Sequence, residues 1–283
     1  MARVKATTGT SSRGLLSRPL DALVFLLPLI LFYEFASFSG PERVIAFDLL
    51  QRSFELFGHA GLWGPGLAVV IILLATHVVS GEAWTIHWHR VGWMYIEASA
   101  LALPLLVLNQ SIPPSLPNTA LLPNAITTPV EGESARAESR GSPDEFARGT
   151  MSPQQAVMLS SDSAAPVDRL YHRLAIGIGA GIYEELLFRL ILISLVVMVG
   201  VDLLRWDATG TTVFAVALSA IVFALHHHEP IGQEPFHAVT FAFRSIAGAY
   251  LAVVFWYRGY GSAAGCHAAY NVGLAMMEWR AGP

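Results

Sequence analysis

Apolar residues in this chain gather into seven long runs separated by polar turns. The runs cover residues 20–38, 62–80, 91–108, 170–204, 211–227, 237–256 and 262–277. A helix needs about 20 such residues to cross the hydrocarbon core of a bilayer. The run 170–204 exceeds that length, so it is expected to be tilted, broken between Gly177 and Gly181, or extended beyond the bilayer. No strands are indicated. In lipid, a helix also satisfies every backbone N–H and C=O internally. The pattern therefore predicts an all-α fold, a polytopic transmembrane helix bundle of about seven spans.

Between Asn109 and Asp168 the pattern lapses. Pro113, Pro114, Pro117, Pro123 and Pro129 punctuate a stretch rich in Ser, Ala and Glu. This is expected to be a long flexible extramembrane loop. The chain then divides into an N-terminal tail (1–19), three spans (20–108), the loop (109–168) and a second membrane unit (169–283). The first run starts near Leu20 and is longer than a signal-peptide core, so it is expected to stay as an anchor. Arg3, Lys5, Arg13 and Arg18 precede the first acid, Asp21. The excess of positive charge places the N-terminus in the cytoplasm. The loop then falls outside, and the basic turns at Arg90, Arg205 and Arg258 fall inside. Such a protein is multi-pass and, in a bacterium, belongs to the plasma (inner) membrane. Trp93, Trp256 and Tyr257 read as interface anchors, and His77, His87 and His89 as marks of a membrane edge.

Composition narrows the function classes. The chain is 54% hydrophobic and only 13% charged, against about 25% charged in ordinary soluble domains. The lipid bilayer is thus its first partner. A net charge of −4 without a basic patch speaks against nucleic acid. The single cysteine, Cys266, excludes an intramolecular disulfide and a cysteine-based zinc site.

Ionisable groups inside an apolar span are costly and usually functional. The stretch from Gly181 to Arg189 holds Glu184, Glu185 and Arg189. On a helix Glu185 and Arg189 share a face in the favourable order for an ion pair. Glu184 is turned from Glu185 by about 100° and is left available for acid–base work. A structural ion pair locking two helices would use the same residues. At the end of the next run, Phe223 precedes His226, His227 and His228, whose side chains point three ways. An interfacial histidine run would look the same. In the last run, His267 and Asn271 share one helical face beside the small Ala268 and Ala269. They suit either a polar clasp between helices or two donors for a developing oxyanion. Arg244 is a further charge within a span; facing the same cavity it would suit a substrate carboxylate, but the expectation is that it pairs internally or snorkels. Gly248 is expected to serve packing.

Taken in order, Glu-Glu-x-x-x-Arg, Phe-x-x-x-His and His-x-x-x-Asn resemble the three signature motifs of the CAAX-protease and bacteriocin-processing family of glutamate-dependent intramembrane endopeptidases. The resemblance covers about residues 170–275. It implies an all-α bundle around a polar intramembrane cavity, with the catalytic core in 169–283. Carried over by position, Glu184 matches the catalytic glutamate, and Glu185 with Arg189 the structural pair. Phe223 and His227 match the second motif, which selects His227 among three histidines. His267 and Asn271 match the third. The implied reaction is hydrolysis of a peptide bond in a membrane-associated protein or peptide. Eukaryotic relatives remove the last three residues of prenylated proteins. Glu184 and His227 would activate water while His267 and Asn271 hold the oxyanion, with no cofactor and no metal. On these boundaries His227 lies near the outer end of its span and His267 nearer the inner end of its own. Convergence therefore demands a shifted boundary or a tilted or broken helix. His226 and His228 beside the second-motif histidine, and the long loop, depart from the family pattern.

Two other readings stay open on the residues alone. Ten histidines and several carboxylates suit a metal-dependent membrane enzyme, although His228-Glu229 is followed by Pro230, Ile231 and Gly232 rather than completing His-Glu-x-x-His. A non-enzymatic scaffold, or a protein protecting against a peptide toxin, is the other.

Overall fold

The computed structural model describes residues 18–39, 42–44, 64–111, 125–127, 166–232 and 234–281. Each apolar run is helical. The helices are α1 (Pro19–Ser39), α2 (Gly64–Ser80), α3 (Trp88–Gln110), α4 (Pro166–Glu185, running on to Leu203), α5 (Ala208–His226), α6 (Ala238–Arg258) and α7 (Tyr260–Ala281). Among the described residues, five are long and apolar enough to cross a membrane: α1, α3, α4, α5 and α6. Helix α2 is shorter, at 17 residues. Helix α7 has the length, but it carries the buried polar groups Ser262, His267 and Asn271. The protein is a polytopic helical bundle. Large apolar side chains such as Leu27, Ile71, Leu103, Val213 and Ile246 face outward from its helices.

Two strands of three residues, β1 (Glu42–Val44) and β2 (Ala125–Thr127), pair antiparallel with Glu42 opposite Thr127. Segments this short carry no readable period, so the hydrophobic pattern did not announce them. Strand β2 falls inside the Pro-rich stretch. Asn109 and Gln110 belong to α3, and α4 begins at Pro166; residues 112–124 and 128–165 of that stretch, and residues 1–17 of the tail, lie outside the described residues.

Helix α4 organises the bundle, and it does not break between Gly177 and Gly181. These glycines let neighbours approach. A Cβ on Gly177 would stand 2.8 Å from Asn271 Cβ, and one on Gly181 only 2.5 Å from the backbone N of Ala268. Both face α7, in the small-xxx-small arrangement that brings membrane helices together. Gly179 faces α1, where a Cβ would meet the Tyr33 ring at 2.2 Å. Small residues were thus a packing signal, not a hinge.

The departure from α geometry comes later. From Leu186 to Ile193 the helix is π, followed by a short α segment (Ser194–Val197) and a second π stretch (Met198–Leu203). Such stretches are rare and concentrate at functional sites. The apolar span Val167–Leu203 has 37 residues, about 55 Å of helix at 1.5 Å per residue. That is well beyond the roughly 30 Å hydrocarbon core, so it must tilt or protrude.

Two apolar clusters flank α4. One joins Phe25, Leu26 and Tyr33 of α1 to Ile182, Tyr183 and Leu186 of α4 and Ala263 and Ala264 of α7. The other joins Phe188, Phe223, Phe243, Leu251, Cys266 and Tyr270 from α4 to α7. At one end of the bundle Arg18 reaches His87 at 3.0 Å and Arg258 donates to Glu97 at 2.7 Å. The chain there bears three of the basic residues noted in the sequence, Arg18, Arg90 and Arg258, around a cavity of about 330 Å³.

Candidate active site

The last turns of α4 carry Glu184 and Glu185, and the π stretch that follows carries Arg189. Arg189 donates to Glu185 Oε1 at 2.7 Å, within a fully buried ion pair. Its other terminal nitrogen donates to the Gly248 carbonyl at 3.2 Å, and the guanidinium lies 4.3 Å from the centre of the Phe223 ring. Hence Gly248 serves packing and also supplies an acceptor: a Cβ there would press on Phe223 and Ala220 at 3.1 and 3.2 Å. Salt bridge, backbone acceptor and aromatic face together offset part of the cost of burying this cation.

Glu184 turns the other way. Its Oε2 lies 3.8 Å from His227 Nε2 and 4.0 Å from His267 Nε2. The imidazoles come from different elements. His227 caps the C-terminus of α5, and its Nδ1 lies 2.9 Å from the Phe223 carbonyl. A carbonyl only accepts, so this bond puts the proton on Nδ1 and, in the neutral ring, leaves Nε2 an acceptor. His267 projects from α7 with Nδ1 2.9 Å from Glu185 Oε1. Asn271, one turn further, donates to the Gly177 carbonyl at 3.0 Å. Phe223 is the spacer of the cluster, its ring centre 5.0 Å from that of His227 and 5.9 Å from that of His267.

The sequence-selected residues therefore do come together. His227 and His267 both reach Glu184 because α4 packs against the helices of each. Its glycine face packs on α7, while its π stretch is tied to α5 by Ser219, which donates to the Phe188 carbonyl at 2.8 Å. Asn271 is the least converged, because its amide already clamps α7 to α4. Glu184, Glu185, Arg189, His227, His267 and Asn271 are each at most 1% exposed. Among the described residues, Glu184 Oε2, His267 Nε2 and Asn271 Oδ1 are buried without a hydrogen-bond partner. Buried polar atoms of this kind are normally satisfied by a ligand or water. The bundle-end cavities, of about 330 and 360 Å³, lie elsewhere, beside Arg18 and Asp21. The polar cluster itself is closed.

The neighbouring histidines are placed apart from Glu184. His226 packs edge-on against Phe188 and His228 against Phe236, both buried. Arg244 pairs internally, as expected, with Glu234, its two terminal nitrogens 2.5 and 2.7 Å from the carboxylate. Glu234 belongs to the connection after α5, and its N–H donates to the His227 carbonyl at 3.3 Å. Arg244 thus anchors the segment that carries His227. His77 lies in the last turn of α2 as a membrane-edge residue should, yet it is buried, edge-on to Trp84. Among the described residues no group of three His, Cys, Asp or Glu side chains is placed to hold a metal ion.

Sequence reasoning missed Glu34 and Tyr183. Tyr183 Oη donates to Glu34 Oε1 at 2.7 Å, deep in the bundle. The signal was present: Glu34 is an acid inside the first apolar run, and such acids are functional candidates by default.

Residues 166–273 match the family described as type II CAAX prenyl endopeptidase, Rce1-like. The matched stretch contains all three motifs and agrees with the family resemblance seen in them. It supports a CAAX-type endopeptidase of the membrane as the general activity. No curated protein and no solved structure matches the chain at a significant level.

Proposed function

Since the segment from α4 to α7 is Rce1-like, we propose that this protein is a glutamate-dependent intramembrane endopeptidase acting on a prenylated, membrane-associated protein or peptide. One observation carries the mechanism: two imidazoles from separate helices lie within 4.0 Å of one buried carboxylate oxygen. These separations are too long for direct hydrogen bonds. A water about 2.8 Å from both Glu184 Oε2 and His227 Nε2 would bridge them.

Glu184 takes a proton from that water as the oxygen attacks the scissile carbonyl. His227 accepts the other water hydrogen at Nε2 and aims the lone pair. The tetrahedral oxyanion forms towards His267 and Asn271. Because His267 Nδ1 faces Glu185, donation from Nε2 requires the doubly protonated ring. With both glutamates ionised, Arg189 and His267 then leave the cluster neutral. An amide has two N–H donors, and the bond to Gly177 uses one of them. Collapse of the intermediate breaks the C–N bond, and Glu184 returns its proton to the leaving amine. Glu185 and Arg189 keep α4 aligned rather than touching the reacting atoms. Because the cluster is closed, substrate reaches it only as helices part. We place the N-terminus in the cytoplasm, on the side of Arg18, Arg90 and Arg258.

The test is cleavage of a farnesylated reporter peptide by protein in lipid nanodiscs, with products read by mass spectrometry. Glu184→Gln should fold normally and lose at least about 10² in kcat, the usual reach of a general base. A wild-type rate in that variant would overturn the assignment. Activity is expected to survive exhaustive chelation. Loss on chelation that zinc restores would instead favour the metal-dependent reading. Comparing membrane-proteome peptide ends with wild type and Glu184→Gln identifies natural substrates.

A further inference from the structure

Helix α1 carries an acid that no step above uses. Glu34 is 2% exposed, and Tyr183 is wholly buried. Their 2.7 Å hydrogen bond joins α1 to α4 at the residue immediately before Glu184. Two close approaches fix the pair. A Cβ on Gly66 of α2 would stand 2.4 Å from Glu34 Oε1, so the α2 backbone closes over the carboxylate. Tyr33 lies against Gly179, with its ring centre 5.3 Å from that of Tyr183. An acid buried in a bilayer is expensive, and an apolar side chain would pack α1 on α4 without that cost. The carboxylate must therefore contribute direction.

Consecutive helical residues point about 100° apart. Tyr183 faces α1, and Glu184 faces the histidines. A turn of α4 about its axis would break the Tyr183–Glu34 bond and swing Glu184 together. At a side-chain radius of about 6 Å, roughly 10° of rotation moves the carboxylate by about 1 Å. A shift of that size can cost about 10² in rate. We propose that Glu34 is a positioning residue: by holding Tyr183 it sets the rotation of α4 and so the aim of Glu184. The inference rests on Glu184 being the base, and it reaches outside the stretch 166–273 that matches the family.

The experiment compares Tyr183→Phe, Glu34→Ala, Glu34→Gln and the double variant Tyr183→Phe/Glu34→Ala in nanodiscs. Tyr183→Phe and Glu34→Ala should each lower kcat by about 10- to 100-fold with KM within about threefold. The double variant should be no worse than either, as expected for partners acting through one bond. Glu34→Gln keeps a side-chain carbonyl for Tyr183 and should stay within about threefold of wild type. A second readout needs no turnover: the Glu184 carboxyl infrared band, assigned by difference against Glu184→Gln. It should shift in Tyr183→Phe and Glu34→Ala but not in Glu34→Gln. A reporter that even wild type leaves uncut counts against the protease reading, while the infrared comparison still decides this one. Wild-type kcat, additive losses, or an unshifted band in Tyr183→Phe alongside a lowered melting temperature would reduce Glu34 to a stability contact and overturn the proposal.

Discussion

A methyl group at Gly181 should disable the enzyme by moving a helix that Gly181 does not belong to. The added Cβ would stand 2.5 Å from the backbone N of Ala268 and 2.8 Å from its Cα. Comfortable heavy-atom contact begins at about 3.5 Å, so α7 must retreat by about 1 Å. Backbone cannot rotate aside as a side chain can. Ala268 follows His267 directly, so the imidazole travels with it and its 4.0 Å approach to Glu184 widens. Overpacking of this kind costs about 1–3 kcal/mol of stability. A displacement of about 1 Å in a reacting group costs up to about 10² in rate. The assay is kcat on the farnesylated reporter, with thermal unfolding of the same nanodisc samples. Gly273→Ala, on α7 itself, is the control. There the three atoms nearest the Cβ all belong to the Leu106 side chain, the first at 3.1 Å, and that chain can yield. Its kcat should stay within about twofold of wild type, since only a flexible neighbour adjusts. Wild-type kcat in Gly181→Ala, or an equal loss in Gly273→Ala, would refute the claim that α4–α7 spacing sets the chemistry.

Arg189→Met should strip Glu185 of its fully buried countercharge and destabilise the fold by about 3–5 kcal/mol, seen as a lower melting temperature. Adding Glu185→Gln should recover most of that loss, because no uncompensated carboxylate then remains. Asn271→Ala removes both the 3.0 Å clamp on Gly177 and the proposed oxyanion donor. Its kcat should fall by about 10²–10³ with KM little changed, measured by steady-state kinetics on the same reporter.

Much of this site was readable in one dimension because membrane helices obey strong local rules. Glu185 and Arg189, or His267 and Asn271, share a face whenever the backbone is helical. Among His226, His227 and His228 the residues alone left the choice open, and only the family resemblance selected His227. Other features had no local signature. A break between Gly177 and Gly181 was one of three ways to fit the long run, and these glycines proved to be a contact surface, since a glycine's meaning depends on what lies opposite. The π stretch from Leu186 leaves no mark in hydrophobic periodicity. Arg244 was legible as an internally paired charge, but its partner, Glu234, was not.

By itself the amino-acid order determined that the chain makes apolar helices, which residues within them are ionisable, and which of those share a face. These follow from the free energy of burying polar groups in lipid and from a fixed helical period. Only the tertiary structure decided that His227 and His267 meet at Glu184, that Asn271 also clamps α4, and that Glu34 from the first helix grips Tyr183. Such pairings join residues 43 to 149 positions apart. They depend on how closely whole helices approach and rotate, quantities that no local pattern encodes.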